Sequence, residues 1–221
     1  MSATRAKFPI LLDLSDRLVV IIGGGNVAAR KAKSVLAGGG SPGSVRVRVV
    51  APEISESIPD EVERVKEFYR LAHLDSATLV FAATDSTETN QAVVHDARSR
   101  NILVCRADDP DDGDFIVPAV RRDGAITVAV STNSPALSAF VRDEIASRIE
   151  PSWSALAEEM QVLRPLINTS KLAATRRAEI LRSLATRDAL RVLQDAGSTA
   201  LRDWLTAQFP DLGSILHAGS R

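Results

Sequence analysis

A strand, a glycine turn and a helix follow one another without a gap between Arg17 and Leu36 (RLVVIIGGGNVAARKAKSVL), and this run constrains the fold most. Leu18 to Ile22 is a short apolar segment in which every residue but the leucine is β-branched, which suits a strand buried on both faces. Gly23, Gly24 and Gly25 come next. From Asn26 the pattern turns helical: Val27, Ala28, Ala32, Val35 and Leu36 are apolar, with Arg30, Lys31 and Lys33 between them. Such a junction points unpaired N–H groups and a positive helix end at a phosphate. The spacing Gly23-x-Gly25-x-x-Ala28 is the G-x-G-x-x-A form of the dinucleotide fingerprint. In that motif Gly23 allows the tight turn, Gly25 admits the pyrophosphate to the backbone, and Ala28 keeps the helix close to the strand. The glycines alone are a weak signal; the strand before and the helix after supply the context.

The remainder of the first half repeats the alternation. Val45 to Val50 (VRVRVV) is a second strand with Arg46 and Arg48 on a less buried face, ended by Ala51-Pro52-Glu53. A short strand is expected within VKEFYR at 65–70, then a turn over His73 to Ser76. Thr78 to Ala83 is a further buried strand, ended by Thr84-Asp85-Ser86. Glu88 to Arg100 reads as a helix with Ala92, Val93 and Ala97 inward, and Ile102 to Cys105 as another strand. This order predicts an α/β, doubly wound, mostly parallel sheet. Before it, Phe8 to Leu14 is apolar and is expected against the sheet edge, although Pro9 argues against a central strand. Gly38 is expected just past the first helix, opening a surface loop to Ser44.

Asp108 to Asp114 (DDPDDGD) breaks the alternation. Phe115 to Ala119 and Ala125 to Ser131 read as two strands joined by a turn at Arg121-Arg122-Asp123-Gly124, a hairpin-like signal for a separate unit. Ser134 and Pro135 have the chemistry of an N-cap and first helical residue. They open a helix over 136–149 with Leu137, Phe140, Val141 and Ile145 on one stripe. Three more helical segments are expected: 151–166, interrupted at Pro165; 175–196, with Ile180, Leu181, Leu184, Leu190 and Leu193 apolar; and 198–209. The tail from His217 to Arg221 is expected to fray.

Composition excludes several classes. With 45% hydrophobic and 25% charged residues and a net charge of −1, nothing suggests nucleic acid or an acidic membrane as partner. No run reaches the ~20 apolar residues of a membrane span. The opening residues carry no long apolar h-region, so a cytoplasmic location is expected. Cys105 is the only cysteine, so no internal disulfide forms, and no metal site is expected from the scattered His73, His95 and His217.

Four blocks, FPILLDLSDRLVVIIGGGNVAARKA, VFAATDSTETNQAV, ADDPDDGDFIVPA and ITVAVSTNSPALSAFVRDEI, together resemble the precorrin-2 dehydrogenase family, the siroheme-synthase N-terminal module. The resemblance covers about the first 150 residues, in order. It implies a Rossmann-type NAD-binding domain over 1–114, a small α+β dimerisation segment over 115–150 and a C-terminal helical domain over 151–221, assembled as an intertwined homodimer. It also implies oxidation of precorrin-2 to sirohydrochlorin with NAD⁺. Some members are ferrochelatases as well, for which Fe²⁺ is a substrate and the keyword lyase applies. Carried over residue by residue, Gly23, Gly24, Gly25, Asn26 and Val27 match the nucleotide-binding turn. Pro52 and Glu53 match the positions that meet the adenosine ribose, and Thr84 and Asp85 the turn close to the nicotinamide. Asp108 matches the aspartate needed for dehydrogenation and chelation, and Ser131 and Thr132 the hydroxyl pair before the S-P-x-L helix. This chain departs from the family at Cys105-Arg106-Ala107, where Asn-Val-Val is usual, at the shortened Asn133 junction, and in the longer 38–44 loop. The methyltransferase of fused siroheme synthases is not expected within this length, and residues beyond about 155 match nothing by motif.

Chemistry weighs these positions. Dehydrogenation sends a hydride to NAD⁺ and a proton to a base, and a carboxylate at the sheet's carboxyl edge suits the base; DDPDDGD taken alone reads sooner as a solvated acidic loop, and it is the resemblance that singles out Asp108. Asp109, Asp111 and Asp112 are expected to remain solvated turn residues, and Asp114 to cap the following segment. Glu53 suits the ribose hydroxyls of NAD, whereas Arg46 and Arg48 would suit a 2′-phosphate. Arg106, Arg121, Arg122 and Arg142 are candidates for the substrate's carboxylates. Cys105 is expected to be a buried inert thiol. The alternative is a non-enzymatic nucleotide-sensing or tetrapyrrole-binding module on the same fold.

Overall fold

A computed structural model describes residues 7–39 and 43–216; the expected frayed tail and the middle of the 38–44 loop lie outside the described residues. The chain forms two compact units, Met1–Val117 and Pro118–Arg221.

The first unit is a five-stranded parallel sheet in the order β3-β2-β1-β4-β5. β1 (Leu18–Ile22) is central and buried throughout. β2 (Arg46–Val50) and β3 (Glu63–Val65) extend it on one side, β4 (Ala77–Ala82) and β5 (Leu103–Arg106) on the other. Alternate side chains divide between two cores, as the strand period of two requires. Val19, Ile21, Val47, Val49, Phe81 and Cys105 pack with Ala28, Ala29, Ala32 and Val35 of α1 (Asn26–Gly38). Val20, Ile22, Val80, Ala82 and Val104 pack on the opposite face with Val93, Val94 and Ala97 of α2 (Thr87–Ser99). Helices on both faces make the doubly wound arrangement, and all the strands run the same way. Their carboxyl ends therefore share one edge, where Gly23, Thr84 and Asp108 emerge.

Several local expectations shift. Phe8 to Leu14 forms no strand; Phe8 and Leu11 are exposed, and only Leu14 packs on the core. Gly38 lies inside α1 and Gly39 ends it, its N–H donating to the Leu36 carbonyl. β3 precedes the expected VKEFYR strand, and residues 71–74 form a 3₁₀ turn. On α2 the inward residues are Asn90, Val93, Val94 and Ala97, while Ala92 is exposed. Ser86 caps this helix by accepting from the Thr89 N–H at 3.1 Å.

The second unit opens with an antiparallel hairpin of β6 (Ala119–Asp123) and β7 (Ile126–Val130). The hairpin starts later than the composition suggests. Phe115 instead stays with the first unit, edge-on to Phe81 at 5.5 Å. The turn is at Gly124, whose φ of +52° suits glycine, and Arg121, Arg122 and Asp123 lie within β6. Charged residues read as a turn, yet an exposed edge strand tolerates them. α3 (Pro135–Ala146) has the expected Ser134 cap, which accepts from the Leu137 N–H. α4 (Pro151–Asn168) runs through Pro165 rather than stopping there. The expected 175–196 helix is two: α5 (Ala174–Leu184) and α6 (Arg187–Gln208), separated where Thr186 caps α6. Gly197 kinks α6 at φ +79°, where the sequence separates its last two helical segments. A short α7 (Gly213–Leu216) follows. Leu163, Ile167, Ile180, Leu184, Leu201 and Leu205 form the unit's buried centre.

Candidate functional site

The turn after β1 is built from the side chains it lacks. Gly23 stands at φ +130°, and a Cβ there would lie 2.2 Å from the Ala83 carbonyl oxygen. A Cβ on Gly24 would lie 2.0 Å from the Glu53 carbonyl oxygen, and the Ser55 N–H donates to the Gly24 carbonyl at 2.9 Å. The first glycine thus closes on the turn after β4, the second on the segment after β2. A Cβ on Gly25 would meet nothing within 4 Å. Gly25 is also the N-cap of α1, where no side chain accepts a hydrogen bond and no acidic residue occupies the first turn. An uncapped helix end facing open space fits a pyrophosphate, whose oxygens take the free N–H groups. Asn26 and Val27 stand in the first turn of α1, and the fully buried Ala28 lets that helix sit close on the sheet. Pro52 and Glu53 are exposed just beyond the carboxyl end of β2. Arg46 and Arg48 are not there: Arg46 begins β2, and Arg48 pairs with Glu63 at 3.0 Å and donates to the His73 carbonyl. Neither is on the edge where a 2′-phosphate would be read.

Asp108 occupies a corner built in the opposite way. The Ala107 N–H donates to the Ala82 carbonyl at 2.9 Å, carrying the chain past β5 along the carboxyl edge. Arg106 Nε and Nη2 each donate to Asp108 at 3.0 Å, a bidentate fork. Asn90 Nδ2 donates to Oδ1 at 2.9 Å and Thr87 Oγ1 to Oδ2 at 3.3 Å. Asn90 is wholly buried and also binds the Thr84 turn: its Oδ1 accepts from the Thr84 N–H and hydroxyl, and its Nδ2 donates to the Thr84 carbonyl. Thr84 in turn adjoins Gly23. A continuous set of contacts therefore joins the glycine turn to Asp108. The Arg106 guanidinium, chiefly, holds the Asp108 carboxyl below the usual carboxylate range, against the opposing effect of desolvation. Asp85 is exposed on the same turn as Thr84.

Three expectations for the acidic loop are corrected. Arg106, expected to meet a substrate carboxylate, is 4% exposed, and its guanidinium is taken by Asp108 and, through Nη1 at 2.8 Å, by Asp112. Asp112 is therefore not a free turn residue; it also accepts from Arg98 at 3.0 Å. Asp114 caps nothing that follows, and accepts from the Val104 N–H and from Arg98. Cys105 is buried, and desolvation raises its thiol pKa, as expected of an inert cysteine.

Asn90 and Thr87 escaped the sequence reading. A signal was present for Asn90: it stands with Val93, Val94 and Ala97 at helical spacing, a polar residue in an inward stripe. In the second unit, Ser131 and Thr132 follow β7 and are exposed. Thr132 is tied to the helix behind it: its N–H donates to Ser138 Oγ at 2.9 Å, and its hydroxyl donates to the Ser134 carbonyl at 2.8 Å. Arg142 donates to both oxygens of Asp143, at 2.9 and 2.8 Å, with its side chain 24% exposed.

Residues 10–119 match the family model described as "Putative NAD(P)-binding". The siroheme synthase of Chromobacterium violaceum is 38% identical over 157 residues, covering 68% of this chain and 32% of that protein. The siroheme synthase of Gluconobacter oxydans is 34% identical over 172 residues, covering 73% and 35%. The matches thus span about a third of the length of these relatives. Among solved structures, one described as SirC, precorrin-2 dehydrogenase, superposes with a TM-score of 0.70 at 24% identity, over 91% of this chain and 98% of that one. At that identity the likeness establishes the fold.

Proposed function

We propose, from the premise that this chain belongs to the family of the siroheme-synthase N-terminal module, that it oxidises precorrin-2 to sirohydrochlorin with NAD⁺. The observation that carries the reading is the common edge: an open, uncapped Gly25 turn and the Asp108 carboxylate, joined through Thr84 and Asn90. The nicotinamide, when bound, supplies the hydride acceptor. Gly23, Gly24, Gly25, Asn26 and Val27 hold the pyrophosphate, Pro52 and Glu53 face the adenosine ribose, and Thr84 and Asp85 flank the nicotinamide. Asp108 takes the proton. Ser131, Thr132 and Arg142 of the second unit are the further candidates, by resemblance and by the chemistry of the guanidinium, for contact with the substrate's polar groups.

The test is an anaerobic assay with precorrin-2 and NAD⁺, read at the NADH absorbance. Turnover is expected, with a loss of about 10²–10⁴ in Asp108→Ala at retained NAD⁺ affinity. A protein that binds both ligands yet forms no NADH would be a nucleotide-sensing or tetrapyrrole-binding module. The bidentate Arg106 fork on Asp108 favours that second reading, because a carboxylate so held is a weaker base. Adding Fe²⁺ to sirohydrochlorin without nucleotide tests ferrochelatase activity, which requires a rate above the spontaneous one.

The reading extends to assembly as a homodimer through residues 115–150, in the cytoplasm. Its support is α3: Leu137, Phe140 and Ile145 are 47%, 62% and 44% exposed, large apolar side chains that a partner surface would cover. Sedimentation velocity at micromolar concentration distinguishes a dimer from a monomer.

A further inference from the structure

The Asp108 side chain is 32% exposed, yet each of its carboxylate oxygens already receives two donors. An ionised carboxylate offers about four lone-pair positions. Oδ1 receives Arg106 Nε at 3.0 Å and Asn90 Nδ2 at 2.9 Å. Oδ2 receives Arg106 Nη2 at 3.0 Å and Thr87 Oγ1 at 3.3 Å. The donors differ in mobility. Arg106 is 4% exposed and further anchored by Asp112, and Asn90 is 0% exposed and anchored by Thr84. Neither can withdraw without leaving buried polar atoms unpaired. Thr87 is exposed, makes the longest of the four contacts, and its hydroxyl is a rotor that both donates and accepts. It stands at the first position of α2, and among the described residues its side chain makes no other hydrogen bond.

We propose that the Thr87 hydroxyl is the group through which Asp108 receives a proton, at Oδ2. This rests on the dehydrogenase reading above. As the substrate's C–H or N–H bond to the departing proton breaks, that proton forms a bond to Thr87 Oγ1. The hydroxyl's own proton passes at the same time to Asp108 Oδ2, neutralising the carboxylate. Thr87 ends as it began, and the hydride leaves separately to the oxidised nicotinamide supplied as co-substrate. Arg106 and Asn90 are positioning residues: they occupy Oδ1 and fix the plane of the carboxyl, so that Thr87 on Oδ2 is the donor that moves most readily.

Three exposed-site variants in the full chain test this: Thr87→Val, Thr87→Ser and Thr87→Ala. Valine puts a methyl where the hydroxyl stands, removing the relay at nearly unchanged side-chain volume. Its kcat is expected to fall about a hundredfold, the scale of one proton-transfer group, with KM and NAD⁺ affinity within about twofold of wild type. Serine is expected to restore most of the rate, and alanine, which admits a water, to lie between. A readout without cofactor or substrate accompanies these: in a ¹³C-detected titration, the Asp108 carboxyl shifts to higher pKa in Thr87→Val and returns in Thr87→Ser. Arg106 is the charged group hydrogen-bonded to the carboxyl, and Asp112 pairs with Arg106 beyond it; both are unchanged across the set. A valine variant as fast as wild type, or an Asp108 titration indifferent to Thr87, overturns the relay. A wild-type chain that forms no NADH removes the dehydrogenase reading and the relay with it; an active wild type with an indifferent Thr87→Val removes the relay alone.

Discussion

The glycine turn and the Asp108 corner share one sheet edge and are made by opposite means. At the turn, side chains are absent: Gly23 and Gly24 let three segments of backbone close on one another, and Gly25 leaves the space in front of α1 open. At the corner, side chains from α2 and β5 give each oxygen of one carboxylate two donors. The first holds a ligand with backbone dipoles, and demands only that nothing intrude. The second fixes a charge, and demands that every partner be in place. Three glycines in a row therefore have unlike duties, and two aspartates of an acidic loop, Asp108 and Asp112, are ion-pair partners of the buried Arg106 rather than free turn residues.

Substitutions at the turn break the comparison most severely. Gly23→Ala forces a Cβ against the Ala83 carbonyl at a φ that L residues avoid. It is expected to lower the stability of the first unit by more than about 3 kcal/mol, measured by denaturant unfolding. Gly25→Ala should do the reverse: an unchanged unfolding midpoint, with the NAD⁺ Kd raised about tenfold or more in a titration, because only the approach of the pyrophosphate is obstructed. Equal destabilisation by the two changes would contradict the division of labour drawn here.

At the corner the expected effect is smaller and depends on pH. Asp108 and Asp112 are both held below the usual carboxylate range, first of all by hydrogen bonds from Arg106. A depressed carboxyl pKa contributes stability that is complete above the unfolded value, about pH 4, and is lost as pH falls through the lowered one. The stability gap between wild type and Arg106→Leu should accordingly be full at pH 5–7 and narrow below about pH 4. Thermal unfolding across that range measures it, and a gap independent of pH would mean that the arginine acts by packing alone. The smallest effect is at Cys105, on the buried face of β5. Its thiol is expected to react with a disulfide reagent only on unfolding, at least about a hundredfold more slowly in the native protein.

The difference between the two regions also governs how far each could be read beforehand. Strand, glycines and helix are contiguous, and the bounds expected for β1 and the start of α1 match those observed. The Asp108 corner joins residues 18 and 21 positions apart, Asn90 and Thr87, through the packing of α2 beside β5. Only the stripe of Asn90 with Val93, Val94 and Ala97 hinted at it. Arg106 illustrates the same limit. Beside an acidic loop it reads as a surface cation ready for an acidic substrate, but placing it at the end of a buried strand turns it inward. The hairpin was misplaced for a related reason. Phe115 has the apolarity of a strand residue, and its contact with Phe81, thirty-four positions away, keeps it in the first unit instead.

The sequence by itself determined the alternation of strands and helices in the first unit, the glycine turn before α1, and the helical character of the second half. These follow from periodicity, glycine placement and cap residues, all properties of neighbours along the chain. Only the tertiary structure decided which aspartate is clamped, which arginine is spent on it, and which hydroxyl remains free to move. Ion pairs and buried hydrogen bonds are settled by distances between segments remote in sequence, and those distances exist only once the sheet has set its strands side by side.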